Sequence, residues 1–433
     1  MSTTFANYED TLKWMFDKLP MYQRIGGAAY KADLNNTILL LDHLNHPEKQ
    51  FKTVHIAGTN GKGSVSHMLA SILAECGYKT GLYTSPHLRD FRERIRVNGQ
   101  MISQESVMDF INRHVSKFDE MDLSFFEMTV GMAFQYFADE KVDVAIIETG
   151  MGGRLDSTNV IQPLLSVITN IGLDHTQYLG TTLEAIAAEK AGIIKHGVPV
   201  VIGQTQVETT AVFESKALEM NASIVFADRV FDANKLQTSD KQIQSFDVWK
   251  NSQLYFEELE LPLLGAYQQK NLVTAICAAD MLKVHFQLDE KDIRYGLEAV
   301  VRNTGLSGRW QVVSRNPLAI ADTGHNVDGI REVIYQIRLM QFNQLHFVLG
   351  MVNDKSIDAI LQLLPRHAIY YFCKADIPRG LDAEELASQA FEIGLRGRVY
   401  ESVRSAYFSA LNAARPDDLV FVGGSTFVVA EIV

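Results

Sequence analysis

The sequence predicts an α/β protein of two successive domains, each built on a mainly parallel sheet. Three observations carry that expectation. Short, uninterrupted β-branched runs alternate with helical patterns from about Val54 onward, as strands buried on both faces and joined by helical crossovers do. A glycine-rich loop lies between the first such strand and the first such helix. A second alternation begins after Arg309.

In order, Val54–Ala57, Lys79–Thr84, Val142–Glu148, Leu164–Ile171 and Val198–Ile202 read as buried strands. Ser64–Cys76, Val130–Glu140 and Leu183–Ile194 read as helices. Residues 205–262 lose this rhythm, and the weak alternation of Asn251–Leu261 predicts a peripheral antiparallel patch. A helix from about Gln269 to Val284 is expected next. The second set places strands at Leu318–Ala321, His346–Leu349, Ile369–Cys373 and Leu419–Val422. The stretch 303–308, NTGLSG, is short, polar and glycine-containing, which suits a hinge. The expected division is residues 1–304, a hinge at 305–310, and residues 311–433, the last being about 120 residues and typical of a small domain.

Of the 433 residues 47% are hydrophobic and 21% charged, as in ordinary globular proteins. The net charge of −12 argues against a nucleic-acid or anionic-membrane partner, both of which need clustered Lys and Arg. An anionic ligand must then be held by a local nest of cations and backbone N–H groups. Cys76, Cys277 and Cys373 are far apart and form no CxxC pair, which suits reduced thiols. The opening MSTTFANYED has no basic segment leading into an apolar core. No apolar run reaches the roughly 18 residues of a membrane span. The expectation is a cytoplasmic monomer acting on small molecules.

The strongest local signal is Gly58-Thr59-Asn60-Gly61-Lys62-Gly63-Ser64, between a predicted strand and a predicted helix. Three glycines let backbone N–H groups turn inward around phosphate oxygens at a helix N-terminus. Lys62 adds a point charge, and the Ser64 hydroxyl can ligate a phosphate-bridging Mg²⁺. The spacing differs from the common G-x-x-x-x-G-K-[ST], and a nucleotide switch or simple ATPase stays open at this point.

Glu148 ends a strand and precedes a glycine-rich turn, at the carboxyl edge where open α/β sheets bind ligands. It is a candidate Mg²⁺ ligand. The next strand leads into Asp174-His175, an acid and an imidazole at the same rim. Glu189-Lys190 lies on the following helix, where the usual fate of such a pair is a solvated face.

Together with Tyr83-Thr84-Ser85-Pro86-His87, Phe91-Arg92-Glu93-Arg94-Ile95, the run from Glu148 to Asn159, Leu173-Asp174-His175 and Glu189-Lys190-Ala191-Gly192, the phosphate loop resembles the folylpolyglutamate synthase/dihydrofolate synthase branch of the Mur ligase superfamily. The resemblance runs in order from about Gly26 to Val433. It includes Tyr267-Gln268-x-x-Asn271, Ser307-Gly308-Arg309, Asp322-Thr323-Gly324-His325-Asn326 and Gly424-Ser425.

The resemblance implies an N-terminal P-loop ATPase-type domain, a Rossmann-like C-terminal domain, and a site in the cleft between them. It implies two Mg²⁺ sites: Ser64, Ser85 and Glu148 at the first, and Glu148, His175 and a carbamylated Lys190 at the second. ATP would meet the loop from Gly58 to Ser64 with Asn271, Arg309 and Asp322, the last near the ribose. Arg94, His325 and Ser425 would hold the incoming glutamate. Ser124 and Asp156 match contacts to the pterin-bearing substrate, and a requirement for a monovalent cation stays open. Two departures bear on the second domain: D-T-G-H-N-V-D-G stands where the family has D-G-A-H-N-P-x-G, and S-G-R where it has P-G-R.

The implied reaction is an ATP-dependent ligation of L-glutamate to a folate or dihydropteroate carboxylate through an acyl phosphate. Lys62, Lys190, His175 and Arg309 are the expected catalytic side chains, acting by position and charge. A cell-wall Mur ligase is the alternative within this chemistry, although only 57 residues precede Gly58, few for a nucleotide-sugar domain. A P-loop switch lacking ligase activity is the other, and no guanine-reading N-K-x-D follows a strand.

Overall fold

The computed structural model describes residues 4–19, 33–238, 242–353 and 357–433. Gly26, where the family resemblance begins, lies outside them. Contacts divide the chain into two units, Met1–Pro262 with Gln268–Gly305, and Leu263–Tyr267 with Leu306–Val433. The division after Gly305 falls inside the stretch 305–310, and the short segment Leu263–Tyr267 joins the second unit.

The first unit is built on eight strands: β1 (Lys52–Ala57), β2 (Thr80–Tyr83), β3 (Ile95–Val97), β4 (Gln100–Met101), β5 (Val144–Glu148), β6 (Leu165–Ile168), β7 (Val200–Ile202) and β8 (Ile224–Phe226). Their order is β4-β3-β2-β5-β1-β6-β7-β8. From β2 to β8 every pairing is parallel, whereas β3 and β4 form an antiparallel edge. The central strands are buried throughout, as their unbroken apolar sequences require. Helix Lys62–Glu75 presents Val65, Met68, Leu69, Ile72 and Leu73 to the interior, all buried, each worth roughly 1.5–3 kcal/mol against exposure.

Residues 205–262 do not lose the α/β rhythm at once. Helix Val207–Glu219 and β8 carry the parallel sheet one strand further. The antiparallel patch begins only at Phe231, with β9 (Phe231–Leu236), β10 (Gln244–Lys250) and β11 (Gln253–Leu261). Helix Phe125–Asp139 starts five residues before the apolar pattern suggested, because Ser124 caps it reciprocally with Glu127.

The second unit carries β12 (Gln311–Arg315), β13 (Leu318–Ala321), β14 (Leu345–Leu349), β15 (Ile369–Phe372), β16 (Arg396–Val399) and β17 (Leu419–Gly423), ordered β12-β13-β17-β14-β15-β16. All pair in parallel except β12, which runs antiparallel to β13. Its own core gathers Ile320, Ile330, Phe347, Tyr370, Phe372, Leu386 and Phe421. Two α/β units, the first with a parallel-dominated sheet and the second with a mixed one, agree with the fold class expected from the sequence.

Candidate active site

In the first unit the phosphate loop leaves β1 after Ala57 and enters helix Lys62–Glu75 through Gly61. Gly58 has φ +147° and Gly61 φ +88°, and a Cβ there would lie 1.9 Å from Thr169 Oγ1 and 2.2 Å from Asn271 Oδ1 respectively. No other residue type fits either place. The loop is tied to the chain after β6: Thr59 N donates to Asn170 O at 2.9 Å, Asn60 N to Asn170 Oδ1 at 2.8 Å, and Thr169 Oγ1 to Asn60 O at 2.6 Å. No side chain caps the helix start, so its N–H groups suit an anion.

Two lysines converge on one carbonyl. Lys62 Nζ donates to Gly58 O at 3.1 Å and Lys190 Nζ to the same oxygen at 2.8 Å. Lys190 is buried, not on a solvated helix face, and Glu189 pairs instead with Arg154 at 2.8 Å. Burial first, and then the charge of Lys62, lower the Lys190 pKa to about 7. Asp174 and Asp156 act on it in the opposite direction, which sets both carboxylates in the same neighbourhood.

Glu148 closes β5, 3% exposed, beside β1, and its Oε2 accepts from Ser85 N at 3.3 Å. Ser64 is also buried, and its Oγ accepts from Gln268 Nε2 at 3.2 Å, while Gln268 Oε1 accepts from Asn271 Nδ2 at 2.8 Å. Among the described residues no three His, Cys, Asp or Glu side chains cluster as a metal site. The oxygens of Ser64 and Glu148 still suit Mg²⁺, which keeps several waters and takes phosphate oxygens rather than a full protein cage. His175 sits in left-handed backbone with its Nε2 4.0 Å from Asp174 Oδ1.

Tyr83 links the remaining residues. Its hydroxyl is buried, and Arg94, Asp156 and Glu148 all lie close enough to act on its ionisation. Arg94 is itself buried, with Nε donating to His87 Nδ1 at 2.8 Å and its guanidinium 5.3 Å from the Phe125 ring centroid. Burial raises the Asp156 pKa, while Thr158 and the Met151 N–H at 2.9 Å pull it down. Ser124 uses its hydroxyl on Glu127 N at 3.2 Å, so its side chain already serves as a helix cap.

In the second unit Asp322 follows β13 and is ringed by donors: Tyr267 Oη at 2.5 Å and Trp310 N at 2.8 Å on Oδ2, and Gly324 N at 2.8 Å on Oδ1. Arg309 Nη1 donates to Thr323 Oγ1, the side chain that replaces a glycine of the family pattern. Ser307 Oγ and Gly308 N both donate to Gln311 Oε1, at 2.6 and 2.8 Å. These contacts tie a stretch that lacks the family's proline. His325 Nδ1 lies 2.9 Å from Thr323 O; a carbonyl only accepts, so that nitrogen carries a proton. Ser425 Oγ accepts from Phe427 N at 3.1 Å.

Sequence reasoning named the residues with charge at strand ends but missed their holders. Tyr83, His87, Gln268 and Thr323 each touch or act on an expected site residue. All four stand inside the motif strings, and their adjacency to site residues was the available signal.

Residues 56–279 match the Mur ligase middle domain, and 308–426 the Mur ligase glutamate ligase domain. A dihydrofolate synthase/folylpolyglutamate synthase of Bacillus subtilis is 35% identical over 397 residues, 88% of each chain. A probable bifunctional folylpolyglutamate synthase/dihydropteroate synthase of Haloferax volcanii is 34% identical over 433 residues, and the chain spans 50% of that relative's length. Escherichia coli FolC in complex with DHPP and ADP superposes with TM-score 0.85 at 30% identity, over 99% of this chain and 97% of that one. A bifunctional folylpolyglutamate synthase/dihydrofolate synthase with Mn, AMPPNP and L-glutamate bound gives TM-score 0.82 at 28% identity, over 100% and 98%. With both ligase domains matched in order, the chain belongs to the Mur ligase family, in its dihydrofolate synthase/folylpolyglutamate synthase branch.

Proposed function

We propose that this chain is a cytoplasmic, monomeric ligase that uses ATP and a divalent metal to join L-glutamate to the carboxylate of a folate or dihydropteroate. The observation that carries the reading is the convergence of Lys62 and Lys190 on the Gly58 carbonyl, at an uncapped helix start with Ser64 and Glu148 buried in the same unit. A substrate carboxylate oxygen attacks the γ-phosphorus, ADP leaves, and an acyl phosphate results. The glutamate amine then attacks the acyl carbon, loses a proton, and phosphate leaves. Lys62 and Arg309 neutralise charge on the transferring group, an effect of position and electrostatics. Mg²⁺, held by Ser64, Ser85 and Glu148, would supply further neutralisation, with Glu148, His175 and Lys190 at a second site. Asn271 and Asp322 are assigned to ATP, Arg94, His325 and Ser425 to glutamate, and Ser124 and Asp156 to the pterin-bearing substrate.

We assign Lys190 a carbamate. The neutral form of the amine attacks CO₂, one C–N bond forms and one proton is released, leaving two oxygens of the kind Mg²⁺ prefers. A pKa of about 7 supports this, as does the pairing of Glu189 with Arg154 rather than with Lys190. Rescue of Lys190→Ala by acetate or formate, and not by alkylamines, is the expected result; the reverse pattern would overturn it. The reaction itself is tested by phosphate release from ATP with dihydropteroate and with tetrahydrofolate, each with and without glutamate. Release needing both substrates supports the ligase. Release with neither, or only with a nucleotide-sugar peptide, refutes it.

A further inference from the structure

A chain of buried hydrogen bonds runs from Asp156 back to a histidine in the middle of β1. His55 is fully buried, and its Nε2 lies 2.9 Å from Thr158 Oγ1. The same hydroxyl lies 2.5 Å from Asp156 Oδ1, to which Thr158 N also donates at 3.0 Å. A carboxylate oxygen accepts, so the single hydroxyl proton of Thr158 goes to Asp156, and towards His55 the hydroxyl oxygen must accept. Nε2 of His55 therefore carries the ring proton. Nδ1 is then a bare acceptor, buried and without a partner among the described residues. A second proton there would be a buried donor with nowhere to go, a costly state. Burial, helped by Lys195, accordingly depresses the His55 pKa to about 3, so the ring stays neutral across the working range.

The direction of the relay is thus fixed from one end. With His55 donating into Thr158, the hydroxyl cannot turn away from Asp156 without stranding its own proton and taking one bond from the carboxylate. Donation into a hydroxyl also strengthens the bond that hydroxyl gives. Asp156 is held in one orientation, with Met151 N on its other oxygen at 2.9 Å.

We propose that His55, acting through Thr158, is a positioning residue for the folate-type substrate: it holds the Asp156 carboxylate as an oriented acceptor for the ring N–H groups of a pterin. The inference rests on the reading of Asp156 as a pterin contact, and the experiment separates the two. Steady-state KM values for dihydropteroate and for ATP are measured in Asp156→Asn, Thr158→Val, Thr158→Ser, His55→Leu and His55→Gln. Thr158→Val and His55→Leu should each raise the dihydropteroate KM roughly tenfold, the effect of one hydrogen bond to a charged group, with the ATP KM within about twofold. Thr158→Ser and His55→Gln, which keep the donor, should recover most of the loss. In an Asp156→Asn background Thr158→Val should add nothing further. Should His55→Leu fail to fold, the Thr158 pair carries the same comparison. If Asp156→Asn raises the KM and Thr158→Val does not, or if both substrates' KM values rise together, the relay is overturned while the pterin contact stands. An unchanged KM in Asp156→Asn removes the pterin contact and the relay with it.

Discussion

The two units meet the same motif-level signals with opposite structural habits. In the first, the charged side chains of the phosphate site lean on backbone that is already held: Lys62 and Lys190 both rest on Gly58 O, and Glu148 on Ser85 N, while only Ser124 and Asp156, assigned to the pterin-bearing substrate, cap helix starts. In the second, the site side chains do the holding. Asp322 gathers Tyr267, Trp310 and Gly324, Asn326 caps helix Val327–Arg338, and Ser425 caps helix Thr426–Ala430. A residue that leans can be removed at the expense of chemistry alone. A residue that holds takes local structure with it. Substitutions at the phosphate-site lysines of the first unit should therefore change rate with little change in melting, whereas those at the holding residues of the second should change both.

The largest separation is expected at Lys62. Lys62→Ala removes a charge from the phosphate site and breaks half-buried bonds to Gly58 O and, at 3.5 Å, Thr59 O. Turnover should fall on the order of 10²–10³-fold, as when one preorganised electrostatic contact is lost. Melting followed by circular dichroism should hardly move. Near-normal turnover at saturating ATP would take Lys62 out of the phosphate site; a large drop in Tm would break the comparison itself.

Lys190 gives the first unit a pH signature. Its pKa falls from 10.5 to about 7 on burial beside Lys62. Between those values the unfolded chain holds a proton that the folded chain has released, so the penalty for burying this lysine is full below pH 7 and shrinks as pH rises. Lys190→Met should gain stability relative to the parent as pH is lowered from 10 to 7, by up to roughly 1 kcal/mol per pH unit. Urea midpoints across that range, without nucleotide or metal, check the sign. A difference that stays flat with pH would mean the lysine keeps its proton.

Much of this was legible in the sequence, and the failures have physical causes. The core strands and the phosphate loop were readable because their signals are local: apolar runs of four to six residues, and glycines where Thr169 and Asn271 leave no room for Cβ. Strand β16, Arg-Gly-Arg-Val, carries no apolar run, and β8 is three residues long and half exposed, so neither stood out. Helix Val207–Glu219 was missed with β8, its Thr-rich start being a poor helical pattern. At the site, carboxylates at strand ends were visible, but the Asp322 hub was not, since Tyr267 lies 55 residues away. The burial of Lys190 was not legible in the local Glu189-Lys190 pair for the same reason: Arg154, which pairs with Glu189, is 35 residues distant.

At Asp322 the comparison is sharpened from the other side. Asp322→Asn leaves an amide N–H₂ facing at least one of the three donors now aimed at the carboxylate. A buried donor left unsatisfied costs about 1–3 kcal/mol, so the thermal midpoint should fall by several degrees, whatever happens to the ATP KM. Loss of ATP affinity with an unchanged midpoint would mean Asp322 leans as the first unit's residues do.

The smallest effect separates the two habits within one residue type. Ser64 and Ser425 are both buried serines, but Ser64 accepts from a side chain, Gln268, while Ser425 accepts from the backbone of its own helix start. Removing an N-cap hydroxyl typically costs about 1 kcal/mol, so Ser425→Ala should lower stability by that amount, and Ser64→Ala, which leaves a buried Gln268 N–H without its acceptor, by a similar amount. Activity should separate them, because Ser64 is the assigned metal ligand. Ser425→Asp then tests whether Ser425 has any second task. Aspartate caps as well as serine and so should restore the midpoint, but it places an anion where the glutamate carboxylate is assigned. Stability regained with a glutamate KM raised well above that of Ser425→Ala would show both roles in one hydroxyl. Stability regained with an unchanged glutamate KM would leave Ser425 a cap alone, and the amino-acid site would have to be sought among other residues of the second unit.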